Sequence, residues 1–200
     1  KASYDKAVAI KPDYTDAHNN LGTALKALGH LDEAVASYRQ ALVIQPDHAE
    51  AHNNLGTAFQ DLGWLDEAVA SYHKALAIKP DYVEARHNLG NALQKLGRLD
   101  EALASYHKAL DIKPDYAKVH SNLGIVLKDL GKLDEAVVSY HKAIAITPDY
   151  VEAHYNLGNA LRELGKPDDA VTSYRKALAI KPDYADAHNN LGIALQDLGK

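Results

Sequence analysis

Cysteine is absent from the 200 residues, so disulfides, thiol nucleophiles and thiolate metal ligands are excluded within this chain. The same absence fits a reducing compartment. Basic residues are outnumbered: 22 Lys and Arg stand against 27 Asp and Glu, for a net charge of −5. Nucleic-acid affinity rests largely on cations that neutralise phosphates, so no nucleic-acid partner is expected. No apolar run approaches the ~18 residues of a membrane span, and no membrane partner is expected either. The chain opens with KASYDKAVAIKPDY, already patterned and unlike a signal peptide, so a cytoplasmic setting is the expectation. Proline and glycine are few, at seven and twelve, but their placement is regular.

Prolines fall at Pro12, Pro46, Pro80, Pro114, Pro148 and Pro182, always 34 apart, and only Pro167 stands outside the series. The glycines form two series with the same period, starting at Gly22 and Gly29. A fixed period of this size predicts stacked helix–turn–helix units. Counting position 1 at Thr15, full repeats span 15–48, 49–82, 83–116, 117–150 and 151–184. Residues 1–14 then read as helix B of a partial repeat and 185–200 as helix A of another, giving a single array over 1–200.

In the first full unit, Ala17, Leu21, Ala24, Leu25 and Leu28 form the apolar stripe of helix A. Ala34, Val35, Tyr38, Ala41 and Leu42 do the same for helix B. Gly29 falls where a left-handed cap is wanted, and Pro46 prevents continuation of helix B. Asp47 with Glu50, Asp81 with Glu84, and Asp149 with Glu152 have capping-box spacing. Gly22 and its counterparts lie beside the core stripe, where the missing Cβ allows close packing that offsets poor helix propensity.

Catalysis needs a few unique, converging residues, whereas this chain repeats the same ones. Pairs such as Asp32–Glu33 and Asp66–Glu67 open helix B, where negative charge complements the helix dipole. His18, His52, His120, His154 and His188 share position 4, with Arg86 in the remaining unit. Packed helices lie roughly 8–10 Å apart while zinc ligands must lie ~2 Å from one ion, so these histidines predict packing rather than metal binding. Tyr4, Tyr38, Tyr72, Tyr106, Tyr140 and Tyr174, at position 24, read as core. Tyr14, Tyr82, Tyr116, Tyr150 and Tyr184, at position 34, read as wedges between units. No phosphate loop, nucleophile elbow or dinucleotide fingerprint is present, so neither an enzyme nor a cofactor is expected.

Leu21, Gly22, Ala34, Tyr38, Ala41 and Pro46, repeated in later units, resemble the signature of the tetratricopeptide repeat (TPR) family along the whole chain. Position 4 departs from it, since the family favours an aromatic there. The resemblance implies an all-α fold, an α-solenoid of antiparallel helix pairs forming a right-handed superhelix, with A helices lining a concave groove. It also implies protein or peptide partners. On a helical wheel, position 6 lies opposite the core stripe and is Asn in every unit: Asn20, Asn54, Asn88, Asn122, Asn156 and Asn190. A primary amide can pair with both backbone N–H and C=O, so this row could hold an extended peptide. It could equally bridge adjacent A helices. With the NLG and KPD stretches, the row resembles the asparagine ladder of O-linked N-acetylglucosamine transferases. His87, Asn91, Tyr155 and Asn159 join the candidate peptide-binding residues. The chain starts in a helix B and stops after a helix A, so a fragment of a longer array is the simpler expectation and head-to-tail self-association through a composite repeat the alternative.

Overall fold

The computed structural model describes residues 2–199, and among these every regular element is an α-helix. The helices are α1 (Ala2–Ile10), α2 (Thr15–Ala27), α3 (Leu31–Ile44), α4 (Ala49–Asp61), α5 (Leu65–Ile78) and α6 (Val83–Lys95). They continue as α7 (Leu99–Ile112), α8 (Ala117–Asp129), α9 (Leu133–Ile146), α10 (Val151–Glu163), α11 (Pro167–Ile180) and α12 (Ala185–Asp197). Even-numbered helices are the A helices and odd-numbered ones the B helices. Two compact units divide the chain between Ser105 and Tyr106, within α7. In the first, α2 packs on α3 and α4 on α5, with α3 meeting α4 and α5 meeting α6. The second repeats the plan with α8 on α9, α10 on α11 and α11 on α12, while α9 meets α10. Connections of three or four residues make successive helices antiparallel, so each unit is an all-α stack of helix pairs. Along one side of each unit the A helices touch directly, α2 to α4 to α6 and α8 to α10 to α12.

The helix ends follow from turn chemistry. Gly29 takes φ +80°, the left-handed conformation that a side chain disfavours, and its counterparts through Gly199 do the same. Pro167 occupies the first turn of α11, where its missing N–H has no helical partner to lose. The capping boxes do not form. Helix α4 begins one residue later than that motif requires, which makes His48 the N-cap, its Nδ1 accepting from the Ala51 N–H at 3.1 Å. Tyr82 and Tyr150 hold the same place with no side-chain cap.

Tyrosine and glycine interlock at the centre of the pairs α2–α3, α4–α5, α8–α9 and α10–α11. Tyr38, Tyr72, Tyr106, Tyr140 and Tyr174 are wholly buried. A Cβ placed on Gly22 would lie 2.7 Å from Tyr38 Cε1, so the glycine is the floor on which the ring rests. Tyr4 differs from its counterparts: it is 37% exposed, and among the described residues α1 packs on α2 alone. Leu28 also leaves the expected stripe, ending α2 in solvent at 60% exposure.

Position 4 has a second duty besides packing. The Nε2–H groups of His18, His52, His120, His154 and His188 donate to the carbonyls of Pro12, Pro46, Pro114, Pro148 and Pro182 at 2.8–2.9 Å. Arg86 replaces them with its guanidinium on the Pro80 carbonyl. The ring thus ties the turn between repeats to the helix that follows. A packing aromatic without an N–H could not do so.

Candidate functional site

The candidate site is the face formed by A helices at positions 5, 6 and 9. In unit 1, Asn54 Nδ2 donates to Asn19 Oδ1 at 3.1 Å, and Asn88 Nδ2 donates to Asn53 Oδ1 at 3.0 Å. Asn53 Nδ2 reaches Asn54 Oδ1 at 3.4 Å, and Asn19 Nδ2 reaches Glu50 Oε1 at 3.4 Å. The result is a one-way amide relay from Asn88 through Asn53, Asn54 and Asn19 to a carboxylate. Asn19 and Asn53 are buried while Asn54 and Asn88 are half-buried. Asn20 is exposed and stands outside the relay. His87 and Asn91 lie one turn apart on α6, with Asn91 Nδ2 on His87 Nε2 at 3.3 Å.

Unit 2 builds the same face differently. Asn190 Nδ2 donates both to the Tyr155 hydroxyl at 3.0 Å and to Asn159 Oδ1 at 2.9 Å. Asn159 Oδ1 also accepts from the Tyr174 hydroxyl at 2.8 Å. The Tyr155 ring lies 5.0 Å from that of Tyr184 and 6.0 Å from that of Tyr174. Asn122 bonds the buried hydroxyl of Tyr106, whose pKa is pushed up by burial and drawn back in part by that bond. Asn156 is half-buried on α10.

The structure therefore brings together Asn190, Tyr155 and Asn159, and His87 with Asn91. It joins Asn54 and Asn88 to position-5 partners that sequence reasoning did not select. The missed residues are Asn19, Asn53 and Glu50, and the available signal was the buried-polar pairing of positions 5 and 6 in successive repeats. On the B-helix side, a cavity of about 850 Å³ opens beside Arg39, Phe59 and Lys74, and one of about 630 Å³ recurs beside His107, Leu127 and Lys142. Their common repeat positions mark them as seams between successive B helices. Among the described residues no group of three or more His, Cys, Asp and Glu could hold a metal ion, and no helix is long and apolar enough to cross a membrane.

A family model described as TPR repeat matches residues 22–63, 61–97, 95–131, 126–165 and 158–199, and one described as tetratricopeptide repeat matches 3–36. The chain belongs to the TPR family. Among solved TPR-protein structures, MamA is 28% identical with a TM-score of 0.76, covering 82% of this chain and 96% of its own. A thermophilic TPR protein of Thermus thermophilus, TTC0263, is 28% identical with a TM-score of 0.69, covering 91% and 99%. YrrB, described as a TPR protein with an unusual peptide-binding site, is 24% identical with a TM-score of 0.76, covering 93% and 96%. No curated protein matches the chain in sequence. As a TPR array the chain has a fold typical of protein–protein interaction, and each unit presents its A-helix amides on one side.

Proposed function

We propose that this TPR array is a non-catalytic scaffold that binds extended peptide segments of partner proteins along its A-helix face. The observation that carries the reading is the hydrogen-bonding capacity left at the amides. Each primary amide has two N–H groups and two carbonyl lone pairs. Asn54 uses one N–H on Asn19 and one lone pair on Asn53, so one of each remains for a peptide backbone. Asn20 is exposed and extends the row. The likeness to the asparagine ladder of O-linked N-acetylglucosamine transferases suggests a substrate-recruiting arm for a catalytic partner. Anisotropy of labelled extended peptides, titrated with the full chain, tests the reading. Binding that falls at least tenfold in Asn20→Ala/Asn54→Ala/Asn190→Ala with helical content intact is expected; unchanged binding refutes the amide row as the site.

End-to-end self-assembly is a second reading, favoured by one pair of residues. Tyr4 is 37% exposed where its counterparts are buried. Gly192 has nothing within 4 Å of an added Cβ, where Gly22, Gly56, Gly124 and Gly158 each support a tyrosine ring. Tyr4 of one copy would fill the space over Gly192 of another. Sedimentation should then show concentration-dependent growth that Tyr4→Asp abolishes, and a monomer at every concentration refutes it.

A further inference from the structure

The two units carry different chemistry on their A-helix faces. At positions 5 and 9, unit 1 has Asn19, Thr23, Asn53, Thr57, His87 and Asn91, every one able to hydrogen-bond. At the same positions unit 2 has Ser121, Ile125, Tyr155, Asn159, Asn189 and Ile193. Ile125 and Ile193 are half-buried, so each keeps apolar surface in solvent, one repeat to either side of Asn159.

The polar groups between these isoleucines are oriented by their own partners. Asn159 Oδ1 receives both the Tyr174 hydroxyl and Asn190 Nδ2, at 2.8 and 2.9 Å, which occupies both its lone pairs. The amide can therefore point only one way, and its Nδ2 carries two hydrogens with no acceptor within the described residues. The Tyr155 oxygen accepts from Asn190 at 3.0 Å, which leaves its hydroxyl proton to be donated elsewhere. Unit 2 thus offers donors flanked by apolar surface. A peptide carbonyl satisfies the donors, and a neighbouring apolar side chain covers the isoleucine. Of the cations on this face, Lys128 is already matched by Asp129 at 3.5 Å and Glu163 at 3.7 Å, while Arg162 lies against the Tyr174 hydroxyl.

We infer that the A-helix face of unit 2 is a sequence-selective peptide site. It takes an extended segment with a backbone carbonyl on Asn159 Nδ2 and an aliphatic or aromatic side chain against Ile125, Tyr155 or Ile193. This rests on the peptide-binding reading above and adds what the partner must carry; unit 1 holds backbone with little regard to sequence.

A set of labelled ten-residue peptides, identical except for Ala, Leu, Phe, Asp or Lys at one scanned position, tests the inference by anisotropy. The comparison is with Ile125→Thr/Tyr155→Asn/Ile193→Thr, whose new residues unit 1 already carries at the same positions. The full-length wild-type chain is expected to prefer Leu or Phe over Ala at one position by about tenfold, the worth of burying one apolar side chain. In the triple variant the Leu and Phe peptides bind no better than the Ala peptide. Equal binding of all peptides by wild type, or a preference that survives in the variant, overturns the inference and leaves peptide binding standing. No binding of any peptide overturns both. Should circular dichroism show the triple variant misfolded, Ile193→Thr alone on α12 must reduce the preference about threefold, and an unchanged preference there also overturns the inference.

Discussion

Gly56→Ala and Gly192→Ala are the same substitution at the same repeat position, and the structure assigns them opposite signs. On propensity alone, replacing a mid-helix glycine by alanine gains about 1 kcal/mol. At Gly56 the new Cβ would lie 2.7 Å from Tyr72 Cε1, 2.9 Å from Cδ1 and 3.0 Å from Cζ. Carbon atoms prefer separations of about 3.5–4.0 Å, so the ring must retreat by roughly 1 Å. It has no room to do so, being wholly buried with its hydroxyl held by Thr57 and Gln60, each at 3.4 Å. Overpacking of this kind costs about 1–3 kcal/mol, leaving Gly56→Ala destabilised by about 1 kcal/mol after the propensity gain. At Gly192 nothing lies within 4 Å, and the gain of about 1 kcal/mol stands alone. The two variants should therefore differ by about 2 kcal/mol.

Repeat arrays open locally, so a single denaturation midpoint would blur the two sites. Hydrogen exchange followed helix by helix is the suitable assay. Amides of α4 and α5 should exchange faster in Gly56→Ala, and those of α12 more slowly in Gly192→Ala. Adding Tyr72→Leu to Gly56→Ala should recover part of the loss, giving a favourable coupling in the double-mutant cycle. Gly56→Ala protected as well as wild type would refute the account of glycine as the seat of the tyrosine ring.

Asn54→Ala and Asn88→Ala each remove an inter-repeat hydrogen bond and should cost about 1 kcal/mol, whereas Asn20→Ala, exposed and outside the relay, should cost less than about 0.5 kcal/mol, as a surface change does; chemical denaturation of each variant gives the ranking. Burial holds His52 and His120 below the ordinary histidine range, opposed by their bonds to proline carbonyls. Between the lowered folded value and the unfolded value of about 6.5, the unfolded chain binds more protons. Their contribution is therefore complete above that pH and lost as pH falls through the folded values. The thermal midpoint should drop between about pH 7 and 5, less so in His52→Tyr/His120→Tyr; equal pH dependence in both proteins refutes the assignment. Burial also pushes Tyr72 up to about 12 and raises Tyr106 and Tyr140. Here the sign reverses: stability is complete below about pH 10 and lost as pH rises through the folded values. Phenolate absorbance from these core rings should appear together with loss of helical dichroism, and their ionisation in a fully helical chain would contradict their burial.

The helices were legible because the punctuation repeats. One Gly–Pro pattern at a fixed period outweighs weak local propensity, and Gly29 and Pro46 mark real ends for the reasons anticipated. Pairings between elements were less legible. Gly22 and Tyr38 are each visible in sequence, but only the turn between α2 and α3 shows that one supports the other. The capping box failed because it depends on the exact first residue of a helix, and a shift of one residue gave the N-cap to His48. The candidate row emerges from a helical wheel, which shows one helix at a time. A wheel cannot show that Asn19 is pressed against the helix carrying Asn54 or that Tyr155 takes that place beside Asn190. Stacking decides those partners, and stacking sorts one apparent row into exposed Asn20, relayed Asn54 and Asn88, and the aromatic cluster around Asn190.

That sorting makes bridging compatible with binding at these amides. A bridging bond consumes one donor of a group that has two, and it fixes the direction of the other. In unit 1 the relay runs from Asn88 to Glu50, so each amide is turned by the next and ends on a negative charge. Bonds in such a chain polarise one another, and breaking one should loosen those upstream. Asn54→Asp keeps the size and the acceptor while deleting the donor to Asn19. If the relay orients the face, this variant should bind peptide less well and also speed exchange in both α2 and α4. A loss of binding with unchanged exchange in α2 would mean that Asn54 serves the peptide alone, without holding the neighbouring repeat.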